Sequence, residues 1–307
     1  MSAARPILLL TRIWPTRQRP SVGTFVRERT RGVAGIRVVR PRWPGLPSAL
    51  VYPVLLLDAL RAGPIRGVEA HMLMPTGLVG WIVARVRGVP LVVYSHGRDV
   101  RDWPRLPAPL RWVASQVARR ADRVLANSED TAARLRELGA RPRVISPGVD
   151  LTRFAPSPRP PERRVLYLGG SVAYKGYDVA RELADTLAGP GLRDVDPARI
   201  PALIAEHDVV LVPSSVEAFG LVAVEAIASG RWVVASAVGG LRDVVRDGVN
   251  GTLVADGDFA GALARIPDYD PHAIASTVER FSLVAWQDAM ASAWDEVAPA
   301  DGSSADG

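Results

Sequence analysis

The stretch SSVEAFGLVAVEAIASG, at residues 214–230, decides the fold of the second half of the chain. The segment before it, DVVLVPSS at residues 208–215, is typical of a buried parallel strand, because apolar and β-branched residues precede a Pro-Ser-Ser break. The predicted order is strand, loop and helix, with Glu217 in the loop and Glu225 in the helix. The first N–H groups of such a helix lack internal partners, and in a parallel sheet they face a ligand crevice, where they favour phosphate.

Six blocks, taken in order, resemble a known family. They are the stretch above and SHGRDV (95–100), ANSEDTAARLRELG (126–139), VISPGVDLTRF (144–154), LGGSVAYKGYD (168–178) and VVASAVGGLRDVVRDGVNGTLV (233–254). The chain resembles glycosyltransferase family 4 (group 1), retaining enzymes of GT-B architecture whose E-x7-E motif matches Glu217 and Glu225. The resemblance implies an α/β fold with two Rossmann-like, doubly wound domains that face a cleft. Residues 187–208 are shorter than in the family, so we expect a compact variant.

The sequence also predicts domain boundaries. Strand and helix patterns alternate with short loops in both halves, which is typical of parallel sheets. The proline-rich segment 155–164 predicts a linker between an N-terminal, acceptor-side domain (1–154) and a C-terminal nucleotide-sugar domain (165–275). As in GT-B proteins, the amphipathic segment 276–297 is expected to form a helix that crosses back to the N-terminal domain. Residues 298–307 are expected to be a disordered tail.

The segment after the first strand of the second half resembles the phosphate loop of the family. Gly169 and Gly170 permit close approach of a backbone, and Lys175 can neutralise a diphosphate. Lys175 is the one lysine beside 37 arginines, which favours a site that a guanidinium fits badly, although chance also explains it. The family has an arginine five or six positions before this lysine, where the chain has glycine. Either another arginine contacts the diphosphate, or donor binding is weaker or altered.

The resemblance assigns roles to the central motif. Glu217 would bind hydroxyls of the donor sugar, and Glu225 would accept hydrogen bonds from the ribose. With Lys175, the backbone amides at the start of the helix would stabilise the charge that develops on the leaving diphosphate; these amides belong to Phe219, Gly220 and Leu221. A solvated helix face is a poorer explanation of the two glutamates, because the second lies among apolar residues.

Three residues of the first half are candidates for donor binding. His96 ends a predicted strand in a block that resembles the HGxD motif, whose histidine lies near the donor sugar. By that resemblance His96 hydrogen-bonds a sugar hydroxyl in a catalytic role, and Asp99 helps to orient the loop at the donor. Gly23 matches a position where small residues let the backbone approach the donor or acceptor, although a glycine can simply start a helix. His71, inside a predicted strand, is expected to be structural.

Composition narrows the class of protein. The chain has 307 residues, 48% of them hydrophobic, and no cysteine, which predicts two soluble globular domains and excludes disulfides and thiolate metal sites. No apolar run reaches the roughly 18 residues of a membrane span, and the first residues lack a signal-peptide core, so a cytoplasmic enzyme is expected. The four histidines are scattered, and we expect no metal ion and no cofactor besides the nucleotide diphosphate sugar.

One basic segment stands out, at residues 111–125. It carries Trp112 and four basic residues, Arg111, Arg119, Arg120 and Arg123. Two interpretations of the predicted helix over 111–123 stay open: an ordinary surface helix, or a helix that contacts anionic lipid at the inner membrane face. Nucleic-acid binding is not expected, because 32 acidic residues are interspersed and no recognition motif is present.

Together these features predict a retaining glycosyltransferase that moves a sugar from a nucleotide diphosphate sugar to an unidentified hydroxyl acceptor without a metal ion. In the family the reaction is thought to take place on one face of the sugar, so neither glutamate need be a nucleophile. Two alternatives stay open. One is another GT-B enzyme, such as a sugar-nucleotide epimerase or a phosphorylase. The other is a catalytically weak sugar-nucleotide-binding subunit, which the missing arginine and the short second half motivate.

Overall fold

The chain forms two compact units, each built around a parallel β-sheet. The computed structural model describes residues 5–15, 23–31, 33–41, 47–193 and 195–298. One unit comprises Met1–Ser146 and Trp286–Gly307, and the other comprises Pro147–Ala285. The predicted two-domain α/β architecture is therefore confirmed.

The first unit contains six parallel strands in the order β2-β1-β3-β4-β5-β6. Apolar residues such as Leu8 and Leu10 on β1 and Val93 on β4 are buried in its main core, because helices cover the sheet. The strands are β1 (Ile7–Leu10), β2 (Ile36–Val39), β3 (Gly67–His71), β4 (Leu91–Ser95), β5 (Arg123–Ala126) and β6 (Pro142–Val144). The helices are α1 (Thr24–Thr30), α2 (Ser48–Leu60), α3 (Thr76–Arg87), α4 (Arg98–Arg101), α5 (Ala108–Arg120) and α6 (Glu129–Glu137).

The second unit contains five parallel strands in the order β11-β10-β9-β7-β8. Alternate residues of its strands enter two separate cores, since Val210 and Val233 lie in one and Val209 and Trp232 in the other. Both faces of this sheet are therefore buried. The strands are β7 (Val165–Tyr167), β8 (Thr186–Leu187), β9 (Val209–Val212), β10 (Trp232–Ser236) and β11 (Gly251–Val254). The helices are α7 (Tyr177–Leu183), α8 (Ile200–Ala205), α9 (Leu221–Ala228), α10 (Leu241–Val244), α11 (Phe259–Ala264) and α12 (Pro271–Ser276).

The last helix, α13 (Leu283–Asp295), returns to the first unit, as the sequence predicts. Trp286 packs beside Tyr94 with 6.4 Å between ring centroids. Trp294 is buried, and a Cβ at Gly67 would collide with its indole at 2.4–2.7 Å from two ring carbons. The glycine at the start of β3 therefore makes room for a helix from the far end of the chain. Of the expected tail, residues 299–307 lie outside the described residues.

The predicted linker at residues 155–164 is wrong, because this segment packs onto the second unit. The guanidinium of Arg231 is buried and donates hydrogen bonds to the carbonyl oxygens of Ser157 (2.8 Å) and Pro158 (2.9 Å). Arg159 forms an ion pair with Asp208 at 2.9 Å. The boundary between the units lies between Ser146 and Pro147, ahead of the prolines that the prediction used. Proline-rich composition indicated a separated segment, but it could not show these arginine contacts.

The basic segment is divided between two elements, so the single helix predicted over 111–123 is also wrong. Helix α5 ends at Arg120, and Arg123 belongs to β5, in register with Val92 of β4. Arg123 forms an ion pair with Glu296 at 2.6 Å. On α5 itself the side chain of Trp112 is 64% exposed. The pairing of β5 with β4 ends the helix earlier than the run of arginines indicates.

Candidate active site

The order in which the chain adds strands to the sheet of the second unit reverses between β7 and β9. The chain runs from β7 to β8 on one side and then returns to β9 on the other, so β7 and β9 are neighbours that connect outward in opposite directions. In open parallel sheets such a switch point leaves a crevice beyond the carboxyl ends of the strands, where ligands bind. Lys175 follows β7 and Glu217 follows β9. The topology therefore brings these two predicted residues to one place.

Lys175 and Glu217 form an ion pair. The Nζ of Lys175 lies 2.6 Å from Oε2 of Glu217, and the hydroxyl of Ser214 donates to the same oxygen at 3.3 Å. Their two loops are also joined through the backbone, because the N–H of Ser215 donates to the carbonyl of Tyr174 at 2.9 Å. The Lys175 side chain is 29% exposed and that of Glu217 is 13% exposed. The ammonium is therefore held at the site and stays accessible to solvent.

Helix α9 begins beside this pair with unsatisfied amides. Gly220 is its N-terminal cap in the left-handed region, with φ 107°, and its carbonyl accepts from the N–H groups of Ala223 and Val224. Within the described part of the chain, no backbone acceptor meets the N–H groups of Phe219, Gly220 and Leu221. These amides match the three that the sequence predicts for the diphosphate. The Phe219 side chain is buried against Phe281, so it contributes packing.

Glu225 is the fifth residue of α9, about 6 Å along the helix from its start. Burial raises the pKa of Glu225 to about 7, and the nearby positive charge of Arg153 opposes this shift. A carboxyl group with such a pKa exchanges its proton near neutral pH. It accepts hydrogen bonds fully only when ionised.

Gly239 and Gly240 pack against the backbone of the loop that carries Glu217. The N–H of Gly240 donates to the carbonyl of Glu217 at 3.1 Å. A Cβ at Gly239, whose φ is 49°, would collide with the same carbonyl oxygen. Backbone therefore packs directly on backbone here, and the position of the Glu217 loop depends on the absence of side chains at residues 239 and 240.

Close packing explains why residues 169 and 170 are both glycine. A Cβ at Gly169 would collide with the phenol of Tyr167, and one at Gly170 would collide with the carbonyl of Pro190. The N–H of Gly170 donates to the carbonyl of Ala188 at 3.1 Å, so this amide is engaged within the protein. Their predicted role at the donor stays a prediction.

In the first unit, His71 and His96 lie side by side at the carboxyl edge of the sheet. His71 ends β3 and His96 follows β4, the strand paired with it. Their rings stack with 5.1 Å between centroids, and Nδ1 of His71 lies 2.9 Å from Nε2 of His96. Burial, and then the neighbouring His71, lower the pKa of His96 well below its usual value, so His96 is neutral at physiological pH.

Behind this pair lies Glu69, which sequence reasoning missed. Burial raises its pKa, but the charge of Arg29 and hydrogen bonds from two other side chains outweigh burial and lower the pKa to about 2. Its carboxylate is fully buried and contacts Arg29 at 3.2 Å, His71 at 3.0 Å and the indole N–H of Trp294 at 2.7 Å. The signal in the sequence was an acidic residue inside the apolar strand segment GVEAH.

The carboxylate of Asp99 accepts hydrogen bonds from two neighbouring segments of the first unit. Its Oδ2 accepts from the N–H of Leu73 and its Oδ1 accepts from the hydroxyl of Ser95 at 2.9 Å. Burial raises the pKa of Asp99, and these hydrogen bonds oppose the rise. These contacts are consistent with the predicted loop-orienting role, and the assignment of Asp99 to donor binding stays a prediction.

Gly23 begins helix α1, as the plainer of the two predictions states. Its φ is 76°, and a Cβ there would lie 2.6 Å from the backbone of Ile13. Close packing against the loop after β1 therefore requires glycine. Its predicted contact with donor or acceptor stays a prediction.

Among the residues that the structure describes, no group of three or more His, Asp or Glu side chains is arranged to hold a metal ion. Nor does any helix among the residues described have the length and apolar character needed to cross a bilayer.

The fold matches that of solved proteins. Solved GT-B glycosyltransferases share the fold: the HepE protein of Anabaena, in complex with UDP, is 20% identical with a TM-score of 0.72, and the match covers 95% of this chain and 100% of HepE. Sucrose-phosphate synthase of Thermosynechococcus elongatus is 20% identical with a TM-score of 0.73, and the match covers 95% of this chain and 98% of the synthase.

Sequence comparison identifies the family. The family model described as Glycosyltransferase Family 4 matches residues 8–153, and the model described as Glycosyl transferases group 1 matches residues 191–269. The chain therefore belongs to glycosyltransferase family 4, group 1, as its six blocks predict.

Named relatives agree with this assignment. A D-inositol 3-phosphate glycosyltransferase of Geodermatophilus obscurus is 34% identical, and the match covers 74% of this chain and 63% of the relative. D-inositol 3-phosphate glycosyltransferase 2 of Catenulispora acidiphila is 32% identical, with 82% of this chain and 75% of the relative covered. The chain thus spans less than two thirds of the length of the first of these relatives.

Proposed function

We propose that the protein transfers a sugar from a nucleotide diphosphate sugar to a hydroxyl acceptor, with retention at the anomeric carbon and without a metal ion. The observation that carries the proposal is the Lys175–Glu217 pair at the switch point, beside the unsatisfied amides at the start of α9. The ion pair supplies a cation and a carboxylate, and the start of α9 supplies N–H donors. A departing diphosphate and a sugar ring require these groups together.

The charges of the site fit the step that limits such a reaction. Breaking the bond between sugar and phosphate places negative charge on the leaving diphosphate, and positive groups must meet it. Lys175 and the amides of Gly220 and Leu221 can do so without a divalent cation. An ammonium has three N–H donors, so Lys175 can keep one hydrogen bond to Glu217 while it contacts a phosphate oxygen.

Glu217 and Glu225 have different roles in this proposal. Glu217 accepts hydrogen bonds from hydroxyls of the donor sugar and holds the ring, and Glu225 accepts hydrogen bonds from the ribose. Neither acts as a nucleophile, because by family likeness the leaving phosphate helps to deprotonate the acceptor on the same face of the sugar. That arrangement gives retention.

The comparisons supply the first substrates to test. HepE was crystallised with UDP-glucose, which makes UDP-glucose the first donor for this chain. The relatives are named for D-inositol 3-phosphate, which makes that molecule the first acceptor. Both assignments to this chain are part of the proposal.

The experiment measures release of UDP from UDP-glucose with and without D-inositol 3-phosphate, and then with other nucleotide sugars and hydroxyl acceptors. We expect release that depends on an acceptor, persists in EDTA, and gives a product whose anomeric configuration by NMR equals that of the donor. Conversion of the donor without an acceptor would instead indicate an epimerase or a related GT-B enzyme. Tight binding of UDP with no turnover on any acceptor would indicate a binding subunit.

Glu217 provides the decisive variant. E217A should abolish turnover, whereas E206Q, which changes an exposed glutamate of the same unit, should leave turnover at the wild-type level. Unchanged turnover in E217A would remove the assigned role.

We further propose that α5 contacts anionic lipid. Leu110 and Trp112 are 44% and 64% exposed on this helix, and the exposed Arg111 lies between them. Apolar and aromatic side chains beside a cation suit the headgroup region of a membrane. Sedimentation with vesicles that contain or lack phosphatidylserine tests this. Binding should need the anionic lipid and be weakened in W112S, and equal recovery with both vesicles would contradict it.

A further inference from the structure

The first unit has a switch point of its own. The chain runs from β1 to β2 on one side and then returns to β3 on the other side, so β1 lies between β2 and β3. Open parallel sheets bind ligands beyond the carboxyl ends of their strands at such a point. A ligand of the first unit is therefore expected beside the residues that follow β1 and its neighbours.

Two arginines leave adjacent strands at this edge. β1 ends at Leu10 and β2 ends at Val39, and these two residues are in register. The N–H of Thr11 still donates to the carbonyl of Val39 at 3.2 Å, so the strands stay paired up to the point where Arg12 and Arg40 follow. Because neighbouring strands lie about 5 Å apart, the backbones of these two residues are close together.

Aromatic side chains hold both guanidinium groups. Arg12 donates to the hydroxyl of Tyr52 on α2 at 3.2 Å, and its guanidinium lies 5.6 Å from the centroid of that ring. The guanidinium of Arg40 lies 5.3 Å from the centroid of the Trp14 ring. Such contacts orient an arginine without neutralising its charge, and a guanidinium has several N–H donors to offer. Both cations are therefore positioned and keep donors for a ligand.

The charges of these two arginines are not compensated. Within the described ranges of the chain, neither guanidinium has a carboxylate at ion-pair distance, and both residues are exposed. Elsewhere on the first unit an exposed arginine pairs with an acid of its own helix region, as Arg98 does with Asp102 at 3.3 Å. Two adjacent cations repel each other, and an anion that contacts both would remove this repulsion.

We propose that Arg12 and Arg40 bind a phosphate group of the acceptor, so that the acceptor is a hydroxyl compound that also carries a phosphate monoester. The inference rests on the proposed function for the existence of an acceptor hydroxyl. A phosphate monoester has a charge of about −1.5 to −2 at neutral pH, which two guanidinium groups match. The planar guanidinium also binds phosphate oxygens through paired hydrogen bonds. The phosphodiester of a phospholipid has a single ionised oxygen and matches the pair less well.

The diphosphate of the donor is the rival ligand, because it is also anionic. The groups proposed for the donor diphosphate, Lys175 and the amides at the start of α9, belong to the second unit. Arg12 and Arg40 belong to the first unit. Separate measurements with an acceptor and with UDP therefore distinguish the two ligands.

The first measurement is NMR of the arginine side chains in the full chain, titrated with inorganic phosphate against chloride at equal ionic strength. The Nε–H resonances that disappear in R12M and R40M identify the two residues, and we expect phosphate to shift both. The resonance of Arg85, an exposed cation in the last turn of α3, should not shift. No shift at Arg12 and Arg40, or an equal shift at Arg85, would overturn the proposal.

The second measurement is turnover of UDP-glucose with D-inositol 3-phosphate and with inositol that lacks the phosphate. Wild type should prefer the phosphorylated acceptor, and R12M and R40M should each reduce that preference about ten- to a hundredfold, mainly through KM. R12K keeps the charge without the planar fork and should lose less. R85M is the control and should match wild type, and all variants should melt like wild type.

Three results of this assay would contradict the phosphate site. They are equal losses with both acceptors in R12M, no preference for the phosphorylated acceptor in wild type, and a weaker Kd for UDP in R12M, which would assign Arg12 to the donor. If no acceptor is turned over but phosphate shifts the two arginine resonances as expected, the proposed function fails and the phosphate site stands.

Discussion

The ammonium of Lys175 lies 2.6 Å from a carboxylate oxygen of Glu217, and this pair joins the loops that follow β7 and β9. Both side chains keep contact with solvent, at 29% and 13% exposure, so the pair contributes about 1 kcal/mol or less to stability. Its removal should therefore act mainly on turnover. By contrast, loss of the buried contacts of Arg231 or Gly239 in the same unit should also reduce stability.

K175M should lower kcat/KM by about 10²- to 10³-fold, because one positive donor to the leaving diphosphate is lost. The matched control is R181M, which removes an exposed cation on α7 of the same unit. Acceptor-dependent release of UDP gives the rates, and a thermal melt reports stability. A K175M protein that melts far below wild type, with turnover reduced only in proportion to its folded fraction, would argue for a structural lysine.

Binding of UDP should tighten as pH rises from 6 to 8. Burial raises the pKa of Glu225 to about 7. Below that pH the carboxyl group carries a proton, so it accepts hydrogen bonds from the ribose hydroxyls poorly. Titration calorimetry at several pH values measures the change, and protons should be released on binding. E225Q should bind more weakly with little dependence on pH. The same pH dependence in E225Q would assign the titration to another group.

The stability of the second unit should respond to the same carboxyl group. Its folded pKa of about 7 lies above the ordinary value of 4.5, so the folded state holds the proton more tightly than the unfolded state does. The contribution of Glu225 to the free energy of unfolding is therefore intact below pH 4.5 and declines as pH rises to 7. E225Q should gain stability over wild type at pH 8 and not at pH 4. Urea unfolding at both pH values checks this, and a larger gain at pH 4 would contradict it.

G239A should reduce both stability and turnover. Residue 239 has φ 49° and no room for a methyl group beside the carbonyl of Glu217, so the loop that carries Glu217 must move. The control is G248A, where φ is 71° but nothing lies within 4 Å, so only the backbone strain of about 1–2 kcal/mol is added. The difference between the two variants measures the contact between loops. If both lose the same stability and neither loses turnover, that contact has no influence on the site.

R231M should destabilise the second unit by about 3 kcal/mol or more. The buried guanidinium donates to the carbonyls of Ser157, Pro158 and Ala205, and its loss leaves these oxygens without a donor. R265M, at a guanidinium on the surface, is the control and should change the free energy of unfolding by less than about 1 kcal/mol. Limited proteolysis at residues 155–164 adds a local readout. Cleavage there as slow as in wild type would show that Arg231 does not hold this segment.

Much of the fold was predictable because short-range patterns specify it. The alternation of apolar strands with helices gave both parallel sheets, and the run from Asp208 to Gly230 gave the strand, loop and helix with Glu217 and Glu225 in the predicted elements. The meeting of Lys175 with Glu217 followed from sheet topology. Family resemblance supplied the site residues, and the sheet order then brought two of them together.

The parts that could not be predicted depend on contacts between distant residues. Nothing near residues 155–164 shows that Arg231, more than seventy positions later, binds their carbonyl oxygens. The role of Glu69 likewise depends on Arg29 and Trp294, from the two ends of the chain. A single acid in an apolar strand signals a partner, but it does not say which one.

The path of α13 has a consequence for biosynthesis. The indole N–H of Trp294 donates a hydrogen bond to Glu69, yet the ribosome adds Trp294 225 positions after Glu69, when the whole second unit has been synthesised. Domains emerging during translation tend to fold in order from the N-terminus. In this chain Glu69 on β3 lacks the hydrogen-bond donor of Trp294 while the inserted second unit is synthesised. The nascent chain therefore completes the first unit last, after the inserted second unit.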